Sequence, residues 1–302
     1  MKTTISLFLA LSLAAAVSAQ TGSKIITPTV SGAQHQPKAG ANPSILYHGG
    51  PVLATNTAHP LHVYYIFYGQ WATKDPGGPA IMTSFMQNLG GSPYWNILTT
   101  YKETSGATIQ NNTALLKKTY TDTGSQGSNL SDTTLQTVVS SAISGGHLPL
   151  DPTAIYEVLT SPEVNETSGF CSSYCGFHGH TTISGKDIKY AFIGDPVHCT
   201  SYGGVADCQG LSTNITASPN NDPGVDAMIS VIAHETEEAT SDPDLNAWYF
   251  ASGNENGDQC AYTYGTTTPA GNGSVYNITL GGKKYAIQQD WVAPNLGCAM
   301  SH

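Results

Sequence analysis

The sequence predicts one disulfide-stabilised domain of the α/β or α+β class, with a mixed β-sheet and one long helix suited to holding a metal. Three observations lead there. Apolar, β-branched runs of strand length alternate with segments of helical period. The last two strand-like runs flank a Gly-Gly pair, which signals an antiparallel hairpin. Six cysteines, an even number, allow the fold to be tied covalently.

In chain order, Leu61 to Tyr68 is apolar and aromatic, as a buried strand requires. Pro79 to Leu89 and Pro93 to Tyr101 read as short helices, each opened by a proline whose missing N–H costs nothing in a first turn. Ser131 to Ser144 reads as a helix: Ser131 can cap it, Leu135, Val138, Val139 and Ile143 recur on one face, and Gly145-Gly146 ends it. Ala154 to Leu159 and Lys189 to Ile193 read as strands. Asp222-Pro223 opens the long helix. Val225, Met228, Ile229 and Ile232 give it an apolar face, and Ser241-Asp242-Pro243 closes it. Ser274 to Leu280 and Lys284 to Val292 are the two late strands about Gly281-Gly282.

Composition bounds the compartment and the partners. Residues 1–19 read as a signal peptide: Lys2, an apolar run from Ile5 to Val17, and a Val17-Ser18-Ala19 cleavage site. That run is too short to span a bilayer, and no later run is long and apolar enough. Residues 20–45 are polar and rich in Gly, Pro, Ser and Thr, which predicts a disordered lead-in to a domain over 46–302. The chain has 11 lysines, no arginine and 21 acids, a net charge of −10, which argues against nucleic-acid binding. Sequons at Asn111, Asn129, Asn165, Asn214, Asn272 and Asn277 fit a secreted glycoprotein. In that setting Cys171, Cys175, Cys199, Cys208, Cys260 and Cys298 read as three disulfides rather than a thiolate zinc site. The pairing expected is between near neighbours: 171–175, 199–208 and 260–298.

The stretch with most chemistry is His234-Glu235-Thr236-Glu237-Glu238. On a helix, residues four apart share a face, so His234 and Glu238 can bind one divalent cation. Glu235 stands where zinc peptidases carrying H-E-x-x-H keep their general base, so this is a zincin-like helix with Glu238 in place of the second histidine. A catalytic zinc takes three protein ligands. The third is expected from Asp258, which lies beside the backbone that Cys260 ties down. Asp242, Glu255 and His178 are alternatives. His178 and His180 alternate in Cys175-Gly176-Phe177-His178-Gly179-His180, so both would face one side of a strand.

Several dispersed segments carry a family resemblance. They are Tyr47-His48-Gly49-Gly50-Pro51-Val52-Leu53, Ile66-Phe67-Tyr68-Gly69-Gln70-Trp71, Val158-Leu159-Thr160-Ser161, Phe170-Cys171, Cys175-Gly176-Phe177-His178, and Val225 to Glu235 continuing through Glu238 to Asn246-Ala247-Trp248-Tyr249. In these the chain resembles the EXORDIUM, or phosphate-induced protein, family of plant extracellular proteins, which has fungal relatives. The resemblance spans roughly 47–300 and includes counterparts of all six cysteines. It implies a secreted or wall-associated protein linked to growth and cell expansion, and it implies no settled reaction. This chain departs from the plant pattern in the wider spacing of Cys199 and Cys208 and in having Asp242 where asparagine is usual.

The function expected is a secreted, zincin-like, zinc-dependent hydrolase, in which Glu235 activates water against a peptide or cell-wall component. The competing expectation is a non-catalytic extracellular wall or growth-associated protein. In that case Tyr64, Tyr65, Tyr68, Trp71, Trp248 and Tyr249 either form a sugar-binding surface or pack the core. The oligomeric state is left open.

Overall fold

The computed structural model describes residues 43–201, 208 and 217–302. The expected leader over 1–19, the expected lead-in over 20–45 apart from its last three residues, and the Asn214 sequon lie outside the described residues. Ile45 is already buried, and its N–H donates to Pro294 O at 2.9 Å.

A five-stranded sheet forms the centre: β1 (His62–Tyr68), β2 (Leu116–Asp122), β3 (Ala154–Thr160), β4 (Gly176–Ile183) and β5 (Lys186–Gly194). Their spatial order is β2-β1-β3-β5-β4. All neighbours run parallel except β4, an edge strand antiparallel to β5. The β4–β5 connection is two residues, Ser184 and Gly185, with φ of 49° and 73°. Two positive φ values in succession give the turn whose twist matches a hairpin. Between the parallel strands run the helices α1 (Gly78–Leu89) and α2 (Asp132–Ser144), with a 3₁₀ segment at Trp95–Thr100. After β5 come α3 (Pro223–Ser241) and the short α4 (Asn256–Gln259).

Side-chain alternation along β1 builds two cores. Val63, Tyr65 and Phe67 face α1 and α3, with Ile155, Leu159 and Ile193 beside them. Tyr64, Ile66 and Tyr68 face α2, with Tyr156, Val158 and Phe192. Burial on both faces explains why these strands read as continuous apolar runs. It also places Tyr64, Tyr65, Tyr68, Trp71 and Trp248 in the interior, so these five do not form a sugar-binding surface.

The expected helices and β1, β3, β5 and α3 are present. β2 and β4 were not expected: Leu116-Lys117-Lys118 is an exposed edge, and β4 opens on glycine and histidine rather than an apolar run. The Gly281-Gly282 hairpin forms between β6 (Ile278–Leu280) and β7 (Lys283–Tyr285). The second late run breaks there, and its end, β8 (Asp290–Val292), pairs with β9 (Gly297–Ala299) instead.

Two of the three expected disulfides are corrected. Cys171 joins Cys199 and Cys175 joins Cys208, while Cys260 joins Cys298 as expected. The β4–β5 hairpin is the reason. It folds the chain back so that Gly194 N donates to Cys175 O at 3.3 Å, which sets the residues beyond β5 beside those before β4.

Candidate functional site

The site lies along α3. Asp222 caps this helix, its Oδ1 accepting from Val225 N at 3.2 Å, and Pro223 occupies the first turn. Every residue from Gly224 to Ser241 is buried except Val231. A helix enclosed on all sides is usually apolar. This one carries His234, Glu235, Glu237 and Glu238 at 0–3 % exposure. Buried charges need partners, so these residues require explanation.

His234 and Glu238 share a face, with His234 Nε2 2.9 Å from Glu238 Oε1. α4 approaches that face. Asp258 Oδ1 stands 3.7 Å from His234 Nε2, and Asp258 N donates to Glu238 Oε1 at 3.0 Å. The Cys260–Cys298 bond holds the loop just beyond. Close approach depends on Gly257, where an added Cβ would lie 2.9 Å from His234 Cγ. Gln288 packs beside Gly257. Its backbone N–H donates to Ser230 Oγ at 3.0 Å, and its amide nitrogen lies 2.5 Å from His234 Nδ1 and 3.2 Å from Gly257 O.

β4 meets the opposite flank of α3. His178 Nδ1 is 3.6 Å from Glu235 Oε2 and 3.6 Å from Glu238 Oε2, and its Nε2 is 3.5 Å from Glu255 Oε1. Two donor sets that can hold a metal result: His234, Glu238 and Asp258, and His178, Glu238 and Glu255. Glu238 belongs to both.

These contacts are not hydrogen bonds. Both nitrogens of His178, Nε2 of His234, both oxygens of Glu235, Oε2 of Glu238 and Oε1 of Glu255 are buried without a hydrogen-bond partner among the described residues. Ligands about 2.0–2.1 Å from a tetrahedral zinc stand roughly 3.3 Å apart. The separations of 2.9 and 3.7 Å from His234 Nε2 bracket that value; those about His178, 3.6 Å from Nδ1 to Glu238 and 3.5 Å from Nε2 to Glu255, are slightly longer and start from its two different ring nitrogens. The donor chemistry and spacing therefore fit a divalent cation.

Electrostatics tie the groups together. Burial alone would lower His234, but Glu238 and Asp258 outweigh it and hold the imidazole well above its ordinary range. Burial opposes the charge on His178 as well, and Glu255, Glu235 and Glu238 reverse that. Burial would raise Glu238, yet His234 and His178 draw it below the usual carboxylate range. Burial pushes Glu235 up to about 7 despite the two histidines. Without a cation, protons on the imidazoles balance the carboxylates; a metal takes their place only by releasing them.

Of the expected ligands, Asp258, Glu255 and His178 all reach the helix face. Asp242 does not join either donor set: its Oδ1 accepts from Asn246 N at 2.6 Å and Ala247 N at 2.5 Å, closing the turn after α3. His180 points along the same side of β4 but pairs with Asp187 at 3.0 Å. Gln288, Glu237, Asp290 and Glu157 were not foreseen. Thr236 Oγ1 donates to Glu157 Oε1 at 2.8 Å, and Tyr94 OH donates to Glu237 Oε2 at 3.1 Å. Gln288 carries no sequence signal, whereas a lone Glu157 within an apolar strand is one. A cleft of about 430 Å³, counted to its open mouth, reaches His234 past Gly176, Ser230, Val231, Tyr262 and Gln288.

The phosphate-induced protein 1 conserved region matches residues 45–290. The chain is 30% identical over 290 residues to Protein EXORDIUM-like 5 of Arabidopsis thaliana, covering 83% of this chain and 75% of that protein. It is 31% identical over 278 residues to Protein EXORDIUM-like 3 of the same plant, covering 81% and 79%. It is 27% identical over 227 residues to Protein PHOSPHATE-INDUCED 1 of Nicotiana tabacum, covering 69% and 68%. No solved structure matches the chain significantly. On the matched region and on this identity across most of both chains, the protein belongs to the phosphate-induced protein 1 family.

Proposed function

We propose that the protein is a secreted metal-dependent hydrolase acting on peptides at the cell exterior or wall, with His234, Glu238 and Asp258 as metal ligands and Glu235 as general base. The observation that carries this reading is that His234 Nε2, buried with no hydrogen-bond partner among the described residues, stands 2.9 Å from Glu238 Oε1 and 3.7 Å from Asp258 Oδ1, about the spacing of ligands on one small cation. Zinc suits the mixed imidazole and carboxylate set. When bound, such an ion supplies Lewis acidity, polarising a carbonyl and making a water easier to deprotonate.

The protein's own groups do the rest. The cleft reaches His234, the member of the proposed metal-binding and catalytic set on its wall. Glu235, raised to about 7, suits a group that takes a proton from attacking water near neutrality and returns it to the leaving nitrogen as the C–N bond breaks. Gln288 holds His234. For Nε2 to face a cation, Nδ1 must carry the ring proton, so the Gln288 amide, whose nitrogen faces Nδ1 and Gly257 O in this structure, has to turn its oxygen to Nδ1 when metal binds. The leader over 1–19 and the three disulfides support an extracellular site of action.

A decisive experiment pairs elemental analysis with turnover of a broad peptide library. The parent should carry zinc and cleave. Glu235→Gln should keep the metal and lose about 10²–10⁴-fold in rate. A Glu235→Gln protein as active as its parent overturns the mechanism.

One observation favours a second reading, a non-catalytic wall-associated protein. The protonated imidazoles of His178 and His234 can neutralise the carboxylates with no metal. Retention on insoluble wall polysaccharide that is indifferent to Glu235→Gln, in a protein that carries no metal, would favour it.

A further inference from the structure

We infer that the centre is built for two divalent cations, with the Glu238 carboxylate bridging them. One ion sits among His234, Glu238 and Asp258, the other among His178, Glu238 and Glu255. This rests on the metal-binding reading above and extends it from one ion to two.

The two oxygens of Glu238 face different partners. Oε1 lies 2.9 Å from His234 Nε2, while Oε2 lies 3.6 Å from His178 Nδ1. A carboxylate placed so offers one oxygen to each of two neighbouring ions, the arrangement that two-metal hydrolytic sites use at metal–metal separations of about 3.5–4 Å. In each set, the three ligand atoms lie within 4.8 Å of one another.

One ion at His234 leaves the other half unexplained. His178 is 1 % exposed, and neither ring nitrogen has a hydrogen-bond partner among the described residues. Glu255 Oε1, 3.5 Å from His178 Nε2, has none either. A buried imidazole and carboxylate left in this state are costly; an ion on one ring nitrogen, within reach of Glu238 and Glu255, relieves that nitrogen and the carboxylate, and the other nitrogen then carries the ring proton toward a neighbouring carboxylate.

Charge points the same way. Glu235, Glu238, Glu255 and Asp258 carry four negative charges when ionised, and His178 and His234 are neutral when they act as ligands. A single dication leaves two buried negative charges in excess. Two dications balance these four, and Glu237, Asp242 and Asp290, buried close by, add acidic groups rather than cationic ones. Imidazole and carboxylate donors in this proportion suit zinc, cobalt or manganese.

The remaining histidine cluster does not compete. His180, Asp187 and Asp244 also lie close enough to hold an ion, but Lys189 Nζ already stands 2.5 Å from Asp187 and 2.6 Å from Asp244. An ammonium fills that role.

The test uses the full chain with its disulfides intact, freed of metal by chelator and titrated with Zn²⁺ or Co²⁺ alone. Bound metal is measured by elemental analysis after gel filtration and by calorimetry. Two equivalents in the parent support the inference, as does magnetic coupling between two bound Co²⁺ ions. His178→Gln and His234→Gln should each retain one equivalent, with the depleted half weakened at least tenfold to 100-fold. One equivalent in the parent, unchanged by His178→Gln and lost in His234→Gln, overturns the second ion and leaves the hydrolase reading standing. No metal in the parent overturns both. If a histidine variant fails to fold, the parent stoichiometry and cobalt coupling still decide the matter.

Discussion

Gly257→Ala isolates the packing that aims His234, without touching a ligand. An added Cβ would stand 2.9 Å from His234 Cγ and 3.0 Å from both Cδ2 and Nδ1. Carbon atoms in ordinary contact are about 3.5–4.0 Å apart, so the ring must retreat by roughly 0.5 Å. Metal–ligand distances tolerate only about 0.2 Å. The retreat also disturbs the contact with the Gln288 amide, 2.5 Å from His234 Nδ1. Disturbing such an orienting contact lowers metal affinity about 10–100-fold, or roughly 1.4–2.7 kcal/mol. Fold stability should change less. Overpacking costs about 1–3 kcal/mol, but alanine recovers about 0.5–1 kcal/mol over glycine within a helix. Competition against a chromophoric chelator reads the affinity, and thermal melting in EDTA reads the fold. Gly77→Ala is the control, because its added Cβ would meet nothing closer than 3.7 Å. A Gly257→Ala protein that binds zinc as tightly as the parent would refute the argument that His234 is a ligand held by this contact.

Three further outcomes are expected. The metal-free protein should lose stability by a few kcal/mol as pH rises from about 4 to 8. Burial raises Glu157 to about 8, and Asp195 and Asp290 to about 7, so the folded state holds protons that the unfolded chain releases in that window. His178 and His234, raised by their carboxylate neighbours, act in the same direction, and melting in EDTA across that range checks the slope. Peptide mapping without reductant should recover 171–199 and 175–208, and removing either bond should cost about 3.5–4 kcal/mol by loop entropy for separations of 28 and 33 residues. Glycopeptide analysis should find glycan on exposed Asn129 and not on Asn277, whose amide nitrogen donates to Tyr264 O at 2.9 Å and to Ile287 O at 2.5 Å.

Legibility in the sequence followed the physics of each element. β1, β3 and β5 are covered on both faces, so their apolar character is continuous and visible. β2 lies at an edge with Lys117 and Lys118 exposed, and its pairing is supplied by β1 rather than by its own composition. β4 is held by backbone pairing to β5 and by tertiary contacts of His178, neither of which leaves a local pattern. Within the site, the i, i+4 relation of His234 and Glu238 follows from helical period alone. The arrival of Asp258 was readable from its neighbour Cys260. Gln288 becomes relevant only because the segment before β8 folds onto Ser230, a long-range event no window of sequence contains. Asp242 was misleading for a definite reason: four residues beyond Glu238 the helix has ended, and the carboxylate turns to the backbone instead.

The bond between Cys260 and Cys298 encloses the stretch that carries Gln288, and it begins two residues after Asp258. A newly made chain with these thiols still reduced lacks the tie that presses this stretch against α3. On the proposed reading, oxidation of this pair would complete the centre, so that metal would be captured only after the bond forms and the reduced chain would fold without a tightly bound ion.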